Sequence, residues 1–188
     1  MNTSSFPVVQ NRSMRGISLI IVLIMLIIIG VTAASAMRSA TSEQRATNNM
    51  RMDATAQQYA EAALRYCETQ LQLPDAARTN TLKAAVIPAT TFAASGWENP
   101  VTWTGTPGSG GASATRTPIP VQSISTSGIT VVPTTLPECV AETQPIPTDL
   151  THTVTVVTAR GFSPDYSKDS SGNTTGGSVV WLQSILNL

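Results

Sequence analysis

The side chains of this sequence that could do chemistry are few and scattered: Cys67 and Cys139, the single histidine His152, the oxygen donors Asp165, Asp169 and Asn173, and the tryptophans Trp97, Trp103 and Trp181. The cysteines have no CxxC spacing and no histidine company, which argues against a metal site, and in an oxidising compartment they are expected to pair. Closing a loop of that length stabilises by on the order of 4 kcal/mol in the chain-entropy account. His152 stands in a β-rich run without serine and aspartate partners nearby. Acid-base or nucleophilic work needs base, orienter and nucleophile to converge, so His152 reads as a surface strand residue. Asp165, Asp169 and Asn173 gather oxygen donors, but not at the every-second-position spacing of an EF-hand, and a solvated loop is expected there rather than calcium. The three tryptophans would suit a carbohydrate or partner platform, although such aromatics more often fill a small core. No residue is expected to be catalytic, and no cofactor is expected.

The elements that must position these groups are set by the hydrophobic pattern. Of 188 residues, 41% are hydrophobic, enough for one domain, yet much of that share sits in one run. The 21 residues from Ile17 to Met37 carry no charge, and at about 1.5 Å each they reach across a hydrocarbon core of roughly 30 Å. Arg12 and Arg15 before the run keep that end cytoplasmic, so the chain beyond the run is exported. Eleven basic and eleven acidic side chains balance, and no global field draws the chain to nucleic acid. Without Arg12 and Arg15, nine basic residues face eleven acidic ones, a mildly acidic exported part.

Two cleavage signals compete. Ala34-Ser35-Ala36 after the apolar stretch fits an ordinary secretory signal, which would release a soluble chain starting at Met37. Cleavage after Gly16 would instead leave the apolar run on the mature protein. From Met37 to Leu73 there is no Pro or Gly, and good helix formers dominate, so the helix is expected to continue until Pro74. Met52, Ala56, Tyr59, Ala63, Tyr66 and Cys67 recur at threes and fours along one stripe, and Glu61 and Arg65 form an i,i+4 pair. A helix over 17–73 would be about 85 Å long by rise alone, half membrane-spanning (17–37) and half amphipathic (38–73). A secreted soluble protein has no need of that spine, which favours retention.

A short basic leader ending in Gly, with an unbroken apolar helix directly after it, resembles a class III prepilin. The resemblance implies a leader over 1–16, cut by prepilin peptidase after Gly16, and N-methylation of Ile17. Most such pilins carry Glu as the fifth mature residue; this sequence has Ile21 there. An ionised Glu in a bilayer costs roughly 2 to 3 kcal/mol or more unless paired, and a subunit not bound by that pairing requirement can replace it by Ile. Its absence is similar to PilX-type minor pilins and to the K-type pseudopilins of type II secretion. Ala60-Glu61-Ala62-Ala63-Leu64-Arg65-Tyr66-Cys67-Glu68 resembles the PilX stretch at this distance from the membrane. Thr158-Ala159-Arg160-Gly161 with Val179-Val180-Trp181-Leu182-Gln183-Ser184 resembles its closing strands, and Pro137 to Glu142 the strand before them. The resemblance implies other minor pilins (PilV, PilW and FimU types), the major pilin and a tip adhesin as partners. K-type pseudopilins normally carry a larger inserted domain than the roughly 115 residues beyond this helix.

Downstream, a globular part over 74–188 is expected. Only Glu98 and Arg116 are charged between Lys83 and Glu138, and Ser, Thr, Gly and Pro crowd that stretch, which predicts long loops with few regular elements over 84–137. Short β-rich runs, Ile129–Val132, Cys139–Glu142, Thr151–Ala159 and Ser178–Leu186, predict a sheet within 129–188. The polar segment 160–177 reads as an exposed connection between antiparallel neighbours. The expected fold is α+β, one long N-terminal helix packed on about four antiparallel strands. A disulfide between Cys67 and Cys139 would staple sheet to helix.

Overall fold

The computed structural model describes residues 17–108, 113–126, 133–170 and 172–187. The expected leader over 1–16, with Gly16, and the expected strand Ile129–Val132 lie outside the described residues.

Helix α1 spans Ile17–Gln72 without a break, one residue short of the predicted end. Pro74, two residues on, stops it. Arg78 takes over the last carbonyls, donating from Nε to the Leu73 carbonyl at 2.9 Å and from Nη2 to that of Leu71 at 2.6 Å. The chain divides into two units between Thr47 and Asn48, and α1 runs through both. In the first unit the large apolar side chains from Leu19 to Val31 are exposed, on a helix long and apolar enough to cross a membrane. The hydroxyls of Thr32 and Ser35 bond back to carbonyls of their own helix, Thr32 to Ile28 at 3.0 Å and Ser35 to Thr32 at 2.9 Å, which satisfies both donors on an apolar stretch.

In the second unit, strands β1 (Thr117–Pro118), β2 (Glu138–Ile146), β3 (Asp149–Phe162) and β6 (Val179–Leu186) form an antiparallel sheet in the order β1-β2-β3-β6. β4 (Ser167–Lys168) and β5 (Thr174–Gly176) form a separate two-stranded ribbon. The pleat of period two sorts the side chains. Cys139 and Ala141 of β2, in register with Ala159 and Val157 of β3, join Tyr59, Ala63, Cys67 and Leu71 of α1 in one buried cluster. This is the stripe expected from the helical spacing, with Met52 and Tyr66 half-buried at its margin. Gly161 of β3 lies on the same face, directly against the helix backbone: a Cβ there would fall on the Ala56 carbonyl, the Ala60 amide and, at 2.9 Å, the Ala60 Cα. The sheet and α1 therefore meet backbone to backbone at this point.

The structure refines three expectations. Within the loop-rich 84–137 region lie the short helices α2 (Pro100–Thr104) and α3 (Val121–Thr126), 3-10 turns at Phe92–Ala94 and Gly96–Glu98, and β1. Its chain covers the outer face of β2, which is why Glu138, Val140, Glu142 and Gln144 are buried as well as their helix-facing neighbours. The sheet accordingly starts at Thr117 rather than at 129. The 160–177 segment does connect antiparallel neighbours, since β3 pairs with β6, but it begins inside β3 and contains the β4–β5 ribbon. The ribbon's exit requires Gly177, where φ is +77° and a Cβ would meet Tyr166 and Ser163.

Candidate functional site

The two cysteines come together as a Cys67–Cys139 disulfide, Cα atoms 6.6 Å apart across 72 positions of sequence, fully buried between α1 and β2. His152 is exposed near the start of β3 and its Nδ1 lies 2.7 Å from Asp149 Oδ2. The Asp149 carboxyl is held below the usual carboxylate range, first by the Thr151 hydroxyl and amide that donate to it and then by His152. The Thr151 hydroxyl joins that pair, 2.5 Å from Asp149 Oδ1 and 3.2 Å from His152 Nδ1, in an exposed cluster at the start of the strand. Asp165, Asp169 and Asn173 do not converge: Asp165 accepts from the Ser163 hydroxyl at 2.6 Å, while Asp169 accepts from the Asn173 amide at 2.8 Å and side chain at 3.0 Å, closing the turn of the β4–β5 ribbon. Among the described residues no group of three or more His, Cys, Asp or Glu is placed to hold a metal.

A different set of residues is assembled on the outer face of the sheet. Cross-strand register sets Pro118, Glu138, Arg160 and Trp181 in one row across β1, β2, β3 and β6. Glu138, 2% exposed, receives two guanidiniums. Arg116, on the turn leading into β1, donates from Nε to Oε2 at 2.6 Å and from Nη1 to the Gly105 carbonyl. Arg160 donates from Nε to Oε1 at 2.6 Å, pairs with the same oxygen through Nη2, and reaches the Trp103 carbonyl at 3.1 Å. The Arg160 guanidinium lies over three rings, 4.5 Å from the centre of Trp103, 5.1 Å from Phe162 and 5.4 Å from Trp181. Burial pulls its pKa down, and Glu138 opposes that.

Trp103 is brought there by α2, whose start is written locally: Asn99 caps it by accepting from the Val101 amide at 3.0 Å, and Pro100 fills the first turn. The Trp103 indole N–H donates to the Trp97 carbonyl at 2.7 Å and its ring stands edge-on to Trp181, 89° between planes and 4.9 Å between centres. Trp103 is 4% exposed and so belongs to the packed interior, whereas Trp181 is 45% exposed. Both line a cleft of about 230 Å³, together with Arg160, Glu98, Lys168 and Asn173. Of the three tryptophans, Trp103 is a core residue, Trp97 is half-buried and Trp181 is exposed. Arg116, Glu138, Arg160 and Lys168 were not singled out as site residues. The signal was present for one of them, since Arg116 and Glu98 are the two isolated charges of an otherwise uncharged stretch and both end at this assembly.

Comparison with known proteins gives one finding. Residues 15–65 match the family described as PilX N-terminal. No curated protein and no solved structure matches the chain. The matched span covers the apolar head of α1 and the amphipathic turns that carry Tyr59 and Ala63 into the core. The remainder supplies the antiparallel sheet and the disulfide of a pilin-like α+β fold. Residues 15–65 thus carry the N-terminal segment of the PilX-type type IV minor pilins, joined to a pilin-like α+β fold.

Proposed function

We propose that this subunit takes part in initiating type IV pilus assembly and in forming the fibre tip. The observation that carries the reading is Ile21, the fifth residue after Gly16, inside the matched segment and in an apolar helix head that is otherwise unbroken. A subunit with no Glu there lacks the carboxylate that would pair with the terminal amine of a subunit ahead of it, which suits the leading position in a stack. Before assembly the chain sits in the inner membrane as a single-pass protein with its C-terminal domain in the periplasm. Prepilin peptidase removes residues 1–16, and Ile17 becomes the methylated N-terminus. Other minor pilins of the PilV, PilW and FimU types, the major pilin and a tip adhesin are its partners. Adhesion, twitching motility and DNA uptake belong to the assembled fibre.

The processing step is tested by the intact mass and N-terminal sequence of the chain recovered from membranes and sheared fibres. N-methylated Ile17 is expected, and a chain beginning at Met37 sinks the proposal. Deleting the subunit is expected to abolish surface pili; intact piliation with loss of protein secretion would make it a secretion pseudopilin instead.

A further inference from the structure

The assembly around Glu138 has an imbalance of charge. Two guanidiniums, with side chains 13% and 11% exposed, share one carboxylate that is itself buried. One positive charge is therefore left over in a largely desolvated place. Such a charge is costly unless something answers it. The three rings around Arg160 answer part through their quadrupoles but bring no net charge. Nε and Nη2 of Arg160 are the atoms engaged with Glu138 and the Trp103 carbonyl, so Nη1 is the guanidinium nitrogen bound to neither. Arg160 lines the cleft, and so does Lys168. The position is prepared for an anion.

The shape of the cleft narrows the class. Its volume of about 230 Å³ is below the roughly 300–1,000 Å³ of drug-sized pockets and suits a single ring with its substituents. One wall is the half-exposed indole of Trp181, held edge-on by Trp103, a broad apolar surface with little rotamer freedom to lose. Polar groups also line it, Lys168 and Asn173 from the β4–β5 ribbon and Glu98 from the turn before α2. A ligand that fits all three features has an apolar ring face, a fringe of hydroxyls and one carboxylate. We propose that this cleft binds a carboxylated sugar, a uronic-acid residue or its like, with the ring against Trp181, hydroxyls on Asn173 and Glu98, and the carboxylate on Arg160 Nη1 and Lys168. An acidic peptide would satisfy the charge but would leave the indole wall and the acceptor at Glu98 unused.

The test uses the full chain in zwitterionic micelles, since sugar-headed detergents would compete. Calorimetric titration with D-glucuronate, D-glucose and a hexaglutamate peptide reads the class. Saturable glucuronate binding at least about tenfold tighter than glucose is expected, a difference of one charge-assisted contact. Trp181→Ala is expected to weaken glucuronate about tenfold and Lys168→Gln by a smaller factor, the latter loss growing less as salt rises. Thermal melts of both variants check folding; Lys168 is exposed, so Lys168→Gln reads the charge even where Trp181→Ala lowers stability. Glucose binding as tightly as glucuronate, hexaglutamate binding more tightly, or glucuronate affinity unchanged by both substitutions would each overturn the proposal, as would the absence of saturation.

Discussion

Replacing Gly161 by Ala adds one methyl group at the place where β3 and α1 touch through their backbones. An ordinary van der Waals contact begins at 3.4 Å, and the new Cβ would stand 2.9 Å from the Ala60 Cα and nearer still to the Ala56 carbonyl and the Ala60 amide. Relief at Cα alone needs 0.5 Å of separation, the difference between those two distances, and relief at the carbonyl needs more. None of these atoms can swing aside as a side chain would. The strand has to lift from the helix, which opens the packing of Tyr59 and Ala63 against Val157 and Ala159. Overpacking of this kind costs about 3 kcal/mol or somewhat more. For a chain of this size that lowers Tm by roughly 6–12 °C. Circular dichroism melts of the full chain in micelles measure it. Gly30→Ala is the control, since nothing lies within 4 Å of a Cβ at that position, and it should not lower Tm. Ala60→Gly should fail to rescue Gly161→Ala, because the obstructing atoms are backbone. The reasoning is refuted if Gly161→Ala melts within about 2 °C of the parent, or if the double variant regains what the single one lost.

Three further outcomes rest on the same interior. Replacing Cys67 and Cys139 together by Ser is expected to cost on the order of 4 kcal/mol for a loop spanning 72 positions, read as the difference between denaturant midpoints of parent and variant; reductant should reproduce it in the parent and leave the variant unmoved. Glu138→Gln leaves two buried guanidiniums without their carboxylate and is expected to cost about 3–5 kcal/mol in the same assay, more than Glu61→Gln, whose partner Arg65 is solvent-exposed at 3.8 Å. Asp149 should titrate below the usual carboxylate value in an NMR pH series, so whatever it contributes to the fold is present above the ordinary carboxylate pKa and is lost as pH falls through the depressed one; Thr151→Val should bring it back toward normal more than His152→Ala does.

Where local pattern and tertiary demand agree, the chain could be read in advance. Ile17 to Gln72 is written in helix formers and stopped by a proline, so its extent was legible to within a residue. The strands β2, β3 and β6 were legible because β-branched residues cluster between Pro and Gly. The lengths of β2 and β3 were underestimated, since Thr143 to Ile146 extend β2 only by virtue of pairing with β3 across a bulge, whereas β6 is one residue shorter than expected. The pairing of Cys67 with Cys139 was legible from export and from the lack of any other cysteine. β1 was not legible: two residues, one of them Pro, have no periodicity, and Thr117 is recruited by the edge of β2 opposite Cys139. The Glu138 assembly was illegible for a related reason. It gathers Trp103, Arg116, Glu138, Arg160 and Trp181 from five segments, and only strand register, which no single segment encodes, puts three of them in a row.

The disulfide also decides where tension goes. A pull applied along α1 and resisted at the sheet enters β2 through the sulfur bridge at Cys67, so the 71 residues from 68 to 138 form a slack bight outside the line of force. That bight contains the whole of Val86–Leu136, the stretch in which no resemblance was found. Its length and sequence can drift without lengthening the subunit under load, which leaves α2, with Trp103 and the approach to the cleft, on the mechanically idle part of the chain while Arg160 and Trp181 stay on the taut one. Reduction of the bond would put all 71 residues back in series.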